Sequence, residues 1–240
     1  MVDPRTSIIN ERLKSVSRVI AVSSGKGGVG KSLVATTLAL ALVKKGYKVG
    51  LFDLDFTSPS THVILGVEDL QPKEDKGIVP PVVYGLEYMS IVYYSGDLAA
   101  PLRGADVSNA LVELLSITRW GKLDFLVLDM PPGIGDITLD LIRFIEKIEF
   151  LIVTTSSQLA FETVRKLTGL LKELKIPVIG VVENMKMNHS KNIQQQTRKL
   201  GLTYLGEIPY DTKLEEAIGN TNRLLKTALA GKVEEIVTRI

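Results

Sequence analysis

Cysteine is absent from this sequence of 240 residues, and its absence limits the chemistry available to the chain. Without thiolates the protein cannot form a disulfide, hold zinc or an iron–sulfur cluster through cysteine, or use a cysteine nucleophile. Histidine is scarce as well, because only His62 and His189 are present. A lone histidine cannot build a metal site, so we expect both to be surface or packing residues.

Long apolar runs and an excess of one charge are also missing. No window approaches the roughly 20 apolar residues that a membrane-spanning helix needs, and residues 1–17 carry scattered charges without an apolar core. Lysine and arginine number 29 against 27 aspartates and glutamates. The resulting net charge of +2 predicts neither nucleic acid nor an anionic membrane as a partner. We therefore expect a cytoplasmic protein.

The apolar residues form short β-branched runs that alternate with longer helical patterns. Most runs lack polar–apolar alternation, which is typical of parallel strands buried on both faces. The repeated strand–helix–strand order predicts an α/β fold with a doubly wound, mostly parallel sheet in a single domain over residues 1–240. The predicted strands are Val19–Ser23, Val49–Asp53, Glu87–Val92, Phe125–Asp129, Phe150–Thr155, Val178–Glu183 and Tyr204–Gly206. The predicted helices are Lys31–Lys44, Ser108–Thr118, Leu139–Ile145, Ala160–Glu173 and Asn192–Leu200.

Three further segments lie outside this alternation. Residues 1–17 are predicted to form an N-terminal arm or helix. Residues 70–81 carry prolines and mixed charge, which favours a loop or β-hairpin on the surface. Residues 224–240 place apolar side chains on one helical face, so we expect a terminal helix packed on the sheet, with a membrane-surface helix as the alternative.

The strongest local signal is a phosphate-binding loop, because residues 25–32 match the pattern G-x-x-x-x-G-K-[S/T] in full. The match lies between a predicted strand and a predicted helix, as the P-loop NTPase fold requires. Glycines let the backbone amides approach phosphates, Lys31 is placed to reach the β- and γ-phosphates, and Ser32 to bind Mg²⁺. We assign ATP binding to Gly25, Lys26, Gly27, Gly28, Val29, Gly30, Lys31, Ser32 and Leu33.

Carboxylates follow two of the predicted strands. Asp53 and Asp55 end one apolar run, and Asp129 ends another. Ligands of an α/β sheet bind at the carboxyl ends of its strands, so we predict that Asp53 and Asp129 join Ser32 in binding Mg²⁺. The alternative for a strand-end aspartate is that it caps the next helix.

A second lysine in the loop, Lys26, makes the P-loop unusual. The form G-K-G-G-V-G-K-S resembles the deviant Walker A loop of the MinD, ParA, nitrogenase-iron-protein and Mrp/ApbC group. In that group the extra lysine reaches across a dimer interface to the partner's nucleotide. The resemblance therefore implies a catalytic role for Lys26 beside Lys31, and a homodimer that ATP closes.

Other segments resemble the Mrp/ApbC family more closely than its neighbours. Residues 129–136 are similar to that family's D-x-P-P-G-x-G-D switch, for which MinD and ParA proteins carry a different sequence. Asp53-Leu54-Asp55 with Ser58-Pro59-Ser60 resembles its first switch, whose second aspartate orients the attacking water; this implies that Asp55 is catalytic.

The adenine-binding residues also come from the resemblance. Residues 180–185 resemble the family's G-V-V-E-N-M strand end, and the matching Asn184 is implied to contact the adenine. Residues 206–211 resemble G-x-I-P-x-D, a segment whose backbone lines the base pocket, which adds Pro209 and Asp211 to the nucleotide site.

One departure from the family concerns its cargo. Mrp/ApbC proteins are iron–sulfur cluster carriers that usually follow E-N-M with a C-x-x-C pair, whereas this chain continues Lys186-Met187-Asn188-His189. The resemblance thus implies a slow, dimer-dependent ATPase of the cluster-assembly class that holds no cluster itself. Its partners would be iron–sulfur assembly or target proteins, or a cysteine-bearing relative in a heterodimer. A MinD- or ParA-like positioning or regulatory ATPase is the alternative, and a kinase or synthetase is disfavoured because no acceptor-site motif is visible.

Overall fold

The computed structural model describes residues 4–68, 70–95, 105–187 and 190–240. The strands are β1 Val16–Ser24, β2 Val49–Asp53, β3 Lys73–Glu74, β4 Ile78–Val79, β5 Val82–Val83, β6 Leu86–Ser90, β7 Leu123–Asp129, β8 Ile148–Thr155, β9 Val178–Lys186 and β10 Tyr204–Pro209. The helices are α1 Pro4–Arg12, α2 Lys31–Lys44, α3 Thr61–Leu65, α4 Val92–Ser95, α5 Ala105–Ile117, α6 Asp136–Phe144, α7 Gln158–Glu173, α8 Asn192–Lys199, α9 Thr221–Leu224 and α10 Ala228–Val237, with a 3₁₀ turn at Glu215–Ala217.

One large sheet organises most of these elements, and β3 and β4 form a separate two-stranded sheet. The eight strands of the large sheet lie in the order β10-β9-β8-β1-β7-β2-β6-β5. All neighbours pair in parallel except β5 with β6, which are antiparallel. The prediction of an α/β fold with a doubly wound, mostly parallel sheet is confirmed. Strand β1 lies between β8 and β7, so the loop that follows β1 emerges near the middle of the sheet.

Two apolar layers cover the faces of the sheet. Along β1, Val19 and Ala21 face one layer, while Ile20 and Val22 face the other. This alternation follows from the two-residue period of a strand, and both faces are apolar because both are covered. Helix α2 lies in the second layer and is buried along most of its length. Burial of each large aliphatic side chain contributes roughly 1.5–3 kcal/mol, so these layers fix the position of the loop that begins α2.

Boundaries of several elements differ from the sequence-based predictions. Helix α6 begins at Asp136 rather than Leu139, and β6 ends at Ser90 rather than Val92. Strand β9 continues three residues past Glu183, because β10 pairs with it as far as Lys186. These ends depend on pairing between distant segments, which local sequence patterns do not reveal.

The flanking segments form defined structure. The N-terminal segment contains helix α1. Residues 70–81, for which a loop or a β-hairpin was predicted, contain the β3–β4 hairpin. The terminal helix predicted over residues 224–240 is wrong in extent, because α10 spans only Ala228–Val237. Thr227 interrupts the pattern by capping α10, since its hydroxyl accepts a hydrogen bond from the Ala230 amide. Helix α10 packs on α2 and β10.

Across the described ranges, no helix has the length and apolar character needed to span a bilayer.

Candidate nucleotide site

The predicted phosphate and metal residues converge at the carboxyl edge of the sheet. Strands β1, β7 and β2 are neighbours, with Val22 opposite Asp129 and Asp53 opposite Asp129. Two backbone hydrogen bonds tie the loops together: the Gly133 amide donates to the Ser24 carbonyl at 2.9 Å, and the Leu54 amide donates to the Asp129 carbonyl at 2.9 Å. Residues that are far apart in sequence therefore meet because three parallel strands end together.

The loop itself depends on glycine at two contrasting positions. Gly30 has φ +75° at the residue that precedes α2, a left-handed conformation that side chains rarely adopt. Gly25 has no such angle, but a Cβ at this position would overlap the side chain and backbone of Thr163 in α7. The first glycine thus permits close packing, while the later one permits the turn into α2 that aims its amides at a ligand.

Lys31 and Asp129 form a buried ion pair. The Lys31 ammonium lies 2.5 Å from Asp129 Oδ1 and donates to the Ser32 hydroxyl at 3.1 Å. Burial raises the pKa of Asp129 to about 6, although Lys31 opposes this rise and the neighbouring Asp53 adds to it. Asp129 Oδ2 is buried, with no hydrogen-bond partner among the described residues.

The donor set at this point fits Mg²⁺. The Ser32 hydroxyl and the Asp129 carboxylate are hard oxygen ligands, and the Oδ2 atom without a partner is free to accept one. Within the described ranges, no group of three or more histidine, aspartate or glutamate side chains could hold a metal alone. Mg²⁺ characteristically uses one or two carboxylates and completes its shell with water and substrate phosphates, so this sparse protein set suits it.

Asp53 has a different environment from Asp129. Its Oδ1 accepts from the Asp55 amide at 3.1 Å, and its Oδ2 accepts from the Thr61 amide at 3.0 Å and the Thr61 hydroxyl at 2.7 Å. Burial raises the pKa of Asp53, and the hydrogen bonds from Thr61 oppose the rise. Both oxygens are used within the chain, so Asp53 here takes the capping role that is the alternative for a strand-end aspartate. Its role as a metal ligand stays a prediction.

Asp55 and Lys26 lie on the rim of one cavity. The Asp55 Oδ1 atom accepts from the Thr57 hydroxyl at 2.7 Å and the Ser58 amide at 3.1 Å, which fixes the loop after β2. The cavity has a volume of about 410 Å³ and is lined by the loop residues Lys26 to Leu33 together with Asp55 and Pro132. Lys26 is exposed, and its ammonium has no hydrogen-bond or ion-pair partner in the described parts of the chain. This cation is therefore available to a group outside the protomer.

The three predicted base-binding residues do not line that cavity. Asn184 is only 2% exposed, and its Nδ2 donates to the Val29 carbonyl at 2.9 Å, beneath the phosphate loop. Pro209 is exposed at the end of β10, and Asp211 accepts a hydrogen bond from the Lys213 amide at 2.9 Å. The structure therefore places Asn184 as a support of the loop, through a contact that the sequence motif does not show.

An ion-pair network that the sequence analysis missed lies beside Asn184. The buried Glu183 carboxylate accepts from the Ser156 hydroxyl and the Tyr204 hydroxyl, each at 2.8 Å, and pairs with the Lys186 ammonium at 3.2 Å. Lys186 also pairs with Glu207. Burial lowers the pKa of Lys186, but its hydrogen bonds to Glu207 and Glu183 outweigh that effect and raise it. The only signal in the sequence was the i, i+3 spacing of Glu183 and Lys186.

Comparison with known proteins assigns the chain to a family. Residues 15–240 match the family model described as ParA: NUBPL iron-transfer P-loop NTPase. The chain belongs to this family. The relationship predicted from the loop and switch motifs is confirmed.

Curated relatives carry a consistent name. The chain is 38% identical to the iron–sulfur cluster carrier protein of Aquifex aeolicus over 222 residues, which are 86% of this chain and 61% of the relative. It is 40% identical to the carrier protein of the same name from Salmonella typhimurium over 219 residues, 85% of this chain and 59% of the relative. The chain thus spans about three-fifths of the length of these two relatives.

Solved structures agree on the fold. An ADP complex of the nucleotide-binding protein from Archaeoglobus fulgidus superposes with a TM-score of 0.75 and 32% identity, over 98% of this chain and 93% of that one. The cell-division ATPase MinD from Pyrococcus furiosus superposes with a TM-score of 0.68 and 22% identity, over 93% of this chain and 98% of that one. At this identity the comparison shows the shared fold alone. The P-loop NTPase fold is therefore confirmed.

The buried contact of Asn184 leads to a test of its role. In Asn184→Asp an oxygen replaces the amide that donates to the Val29 carbonyl, so the loop loses its support and gains a repulsion. Loss of such a buried hydrogen bond costs about 1–3 kcal/mol, so we expect calorimetry to show binding of both ATP and tripolyphosphate, which has no base, weakened by about fivefold or more.

A matched control is Asn192→Asp, in which Oδ1 still accepts the hydrogen bond from Gln196. We expect that variant to bind both ligands as the unmodified protein does. A loss of ATP binding with unchanged tripolyphosphate binding would instead assign Asn184 to the base.

Proposed function

We propose that this protein is a Mg²⁺-dependent ATPase that works as an ATP-closed dimer in iron–sulfur protein assembly, without holding a cluster itself. The observation that carries the proposal is that Lys26, Lys31, Ser32 and Asp55 line one cavity at the carboxyl edge of the sheet. These residues supply the charges and the hydroxyl that phosphoryl transfer to water requires. The ADP complex of the Archaeoglobus relative supports nucleotide binding by this chain.

Each side chain of the cavity has a distinct part in the proposed reaction. The loop amides and Lys31 hold the β- and γ-phosphates, and Lys31 exchanges part of its contact with Asp129 for the phosphate oxygens. Ser32 and Asp129 hold Mg²⁺, which neutralises phosphate charge when bound. Asp55 orients the attacking water, since its Oδ1 is fixed by Thr57 and Ser58.

Dimerisation is proposed from the surface around Lys26. The segments that follow β7, β8 and β9 leave the same edge of the sheet and expose apolar side chains: Ile134 at 43%, Leu159 in the first turn of α7 at 78%, and Met187 at 81%. Apolar surface beside an unpaired cation suits a second copy that brings its own nucleotide phosphates. In this arrangement Lys26 stabilises charge on the partner's γ-phosphate, and turnover is slow because the competent site forms only when two copies meet.

The cargo is proposed from the names of the relatives and from the composition of this chain. Relatives are named iron–sulfur cluster carriers, yet a cluster held by protein needs thiolates and this chain has none. The side chains of this protein therefore do not fit an iron–sulfur cluster. In the proposed function a partner chain holds the cluster. The same absence favours a second candidate, a positioning or regulatory switch of the MinD or ParA kind.

The water-positioning role of Asp55 is tested by Asp55→Asn, with Asp55→Ala beside it. The asparagine keeps Oδ1 as the acceptor for Thr57 and Ser58, so the loop retains its shape while the carboxylate charge is lost. We expect phosphate release from ATP to fall by at least about a hundredfold in both variants, with ATP affinity unchanged within about threefold. Turnover as fast as in the unmodified protein would exclude Asp55 from the reaction. Asp106→Asn, at an exposed position in the first turn of α5, is the control.

Lys26 is tested through association rather than binding. In Lys26→Ala we expect ATP affinity to stay near normal, whereas the dimer measured by light scattering with ATP in the Asp55→Asn background should be lost or weakened by at least about tenfold. Lys166→Ala removes the same charge from the exposed face of α7 and should dimerise normally. Normal dimerisation of Lys26→Ala would contradict the action of this lysine across the interface.

The biological output is tested by affinity purification from native lysate. The Asp55→Ala protein held in ATP is compared with the unmodified protein held in ADP, and captured proteins are identified by mass spectrometry. ATP-dependent recovery of iron–sulfur assembly proteins or a cysteine-bearing relative is the expected result. Recovery of nucleoid or membrane-site proteins instead would replace the assembly role with the positioning role.

A further inference from the structure

The Asp53 carboxylate holds both ends of residues 55–60, the loop that carries Asp55. Its Oδ1 accepts a hydrogen bond from the Asp55 amide at 3.1 Å, and its Oδ2 accepts from the Ser60 and Thr61 amides at 3.2 Å and 3.0 Å. The loop is thereby closed onto the last residue of β2. Because Asp55 and Ser60 line the phosphate cavity, this closure determines where the loop lies relative to a bound nucleotide.

Two buried hydroxyls extend this anchor away from the cavity. The Thr61 hydroxyl donates to Asp53 Oδ2 at 2.7 Å, and the Tyr88 hydroxyl of β6 lies 2.9 Å from the Thr61 hydroxyl. All three side chains belong to residues that are inaccessible to water. None of the three lines the phosphate cavity, so they can act on a nucleotide only through the loop that Asp53 holds.

The direction of the hydrogen bonds in this chain follows from the available protons. The described residues place three amides and one hydroxyl around the Asp53 carboxylate, and all four are donors, as an ionised carboxylate requires because it can only accept. The single proton of the Thr61 hydroxyl is therefore used on Asp53. Tyr88 must then donate to Thr61, and this donation makes the Thr61 hydroxyl a stronger donor to the buried charge.

We propose that Thr61 and Tyr88 are positioning residues for ATP hydrolysis, which act through Asp53 on the loop that carries Asp55. The proposal rests on the water-orienting role of Asp55 in the proposed function. Water cannot reach Asp53 to replace a missing donor, so each hydrogen bond to this buried charge matters. Loss of the Thr61 hydroxyl therefore loosens the loop and misplaces Asp55. The phosphate loop is not part of this hydrogen-bond chain, so ATP binding is left intact.

A metal-holding role for Asp53 gives a different expectation. In that role, weaker support for Asp53 would raise the Mg²⁺ concentration needed for half-maximal turnover, and turnover would recover once Mg²⁺ is saturating. In the positioning role, turnover falls by the same factor at every Mg²⁺ concentration. The dependence of turnover on Mg²⁺ therefore separates the two roles.

The first test measures phosphate release by the full chain at saturating ATP and Mg²⁺. Thr61→Val removes the hydroxyl at nearly constant shape, and we expect kcat to fall by about tenfold or more while KM for ATP stays within about twofold. Thr61→Ser keeps the hydroxyl, so its kcat should stay within about threefold of that of the unmodified protein. The control is Thr197→Val, at a buried threonine in α8 whose hydroxyl has no partner among the described residues.

The second test is a double-mutant cycle on the hydrogen bond between the two hydroxyls. Tyr88→Phe should lower kcat by about threefold or more when Thr61 is present. It should have no further effect in the Thr61→Val background, because the hydroxyl that it polarises is then gone. Tyr93→Phe removes a neighbouring buried hydroxyl that has no partner in the described ranges, and it should leave kcat unchanged in both backgrounds.

A third measurement does not depend on catalysis. Hydrogen exchange of the nucleotide-free chain, followed by mass spectrometry, should be faster at residues 55–60 in Thr61→Val than in Thr197→Val, with α2 unchanged. Thermal unfolding identifies any variant that has lost its fold. Tyr88→Phe leaves no buried donor without an acceptor, so it keeps the proposal testable if Thr61→Val is unstable.

Three results would overturn the proposal: turnover by Thr61→Val as fast as by Thr197→Val, recovery of its kcat on raising Mg²⁺, or independent effects of Thr61→Val and Tyr88→Phe in the cycle. Its failure is distinguishable from failure of the proposed function. Normal turnover by Asp55→Asn contradicts the role of Asp55, whereas normal turnover by Thr61→Val alone contradicts only the role of the two hydroxyls.

Discussion

The buried ion pair between Lys31 and Asp129 is the contact on which the rest of the site depends. It joins the first residue of α2 to the last residue of β7 at a distance of 2.5 Å, and both side chains are almost inaccessible to water. Removing two such charges from water costs several kcal/mol per ion, and their attraction offsets this only when the geometry is close. Either partner left alone would be an uncompensated buried charge. The sheet must therefore hold β1 and β7 side by side with their ends level.

That requirement explains several features around the pair. Gly25 packs directly on Thr163, and Asn184 supports the Val29 carbonyl, so the loop is braced from α7 and from β9. Asp53, beside Asp129, is held by Asp55 and Thr61 and does not compete for Lys31. A phosphate that enters the loop offers Lys31 a second anion without changing this frame. In the proposed function Lys31 therefore keeps part of its contact with Asp129 while it binds phosphate, and Mg²⁺ balances the rest of the Asp129 charge.

Sequence patterns were sufficient for the parts of this structure that depend on local chemistry. The loop at residues 25–32, the buried strands and the aspartates at their ends all follow from residue type and spacing. Contacts between distant segments were not predictable in this way. The buried position of Asn184, the network of Glu183, Lys186 and Glu207, and the extension of β9 depend on which strands become neighbours. A cavity beside α3 likewise has no sequence signature, since its walls come from three stretches of chain: α3 with the turn after it, β6 with α4, and the turn at residues 218–219.

The end of β9 links the nucleotide loop to the surface beyond it. Asn184 contacts the loop through Val29, and Lys186, two residues later, is locked between Glu183 and Glu207. Met185 between them has φ +53°, a left-handed conformation that is strained for a side chain of this kind. Residues 184–187 thus connect the side chain that supports the phosphate loop to Met187, which is exposed. At the end of β9, Lys186 forms ion pairs with Glu183 and Glu207. The chain has no cysteine there or elsewhere that could ligate a metal cluster. Under the proposed function, a protein partner that docks at Met187 would therefore lie within a four-residue stretch of the side chain that supports the phosphate loop.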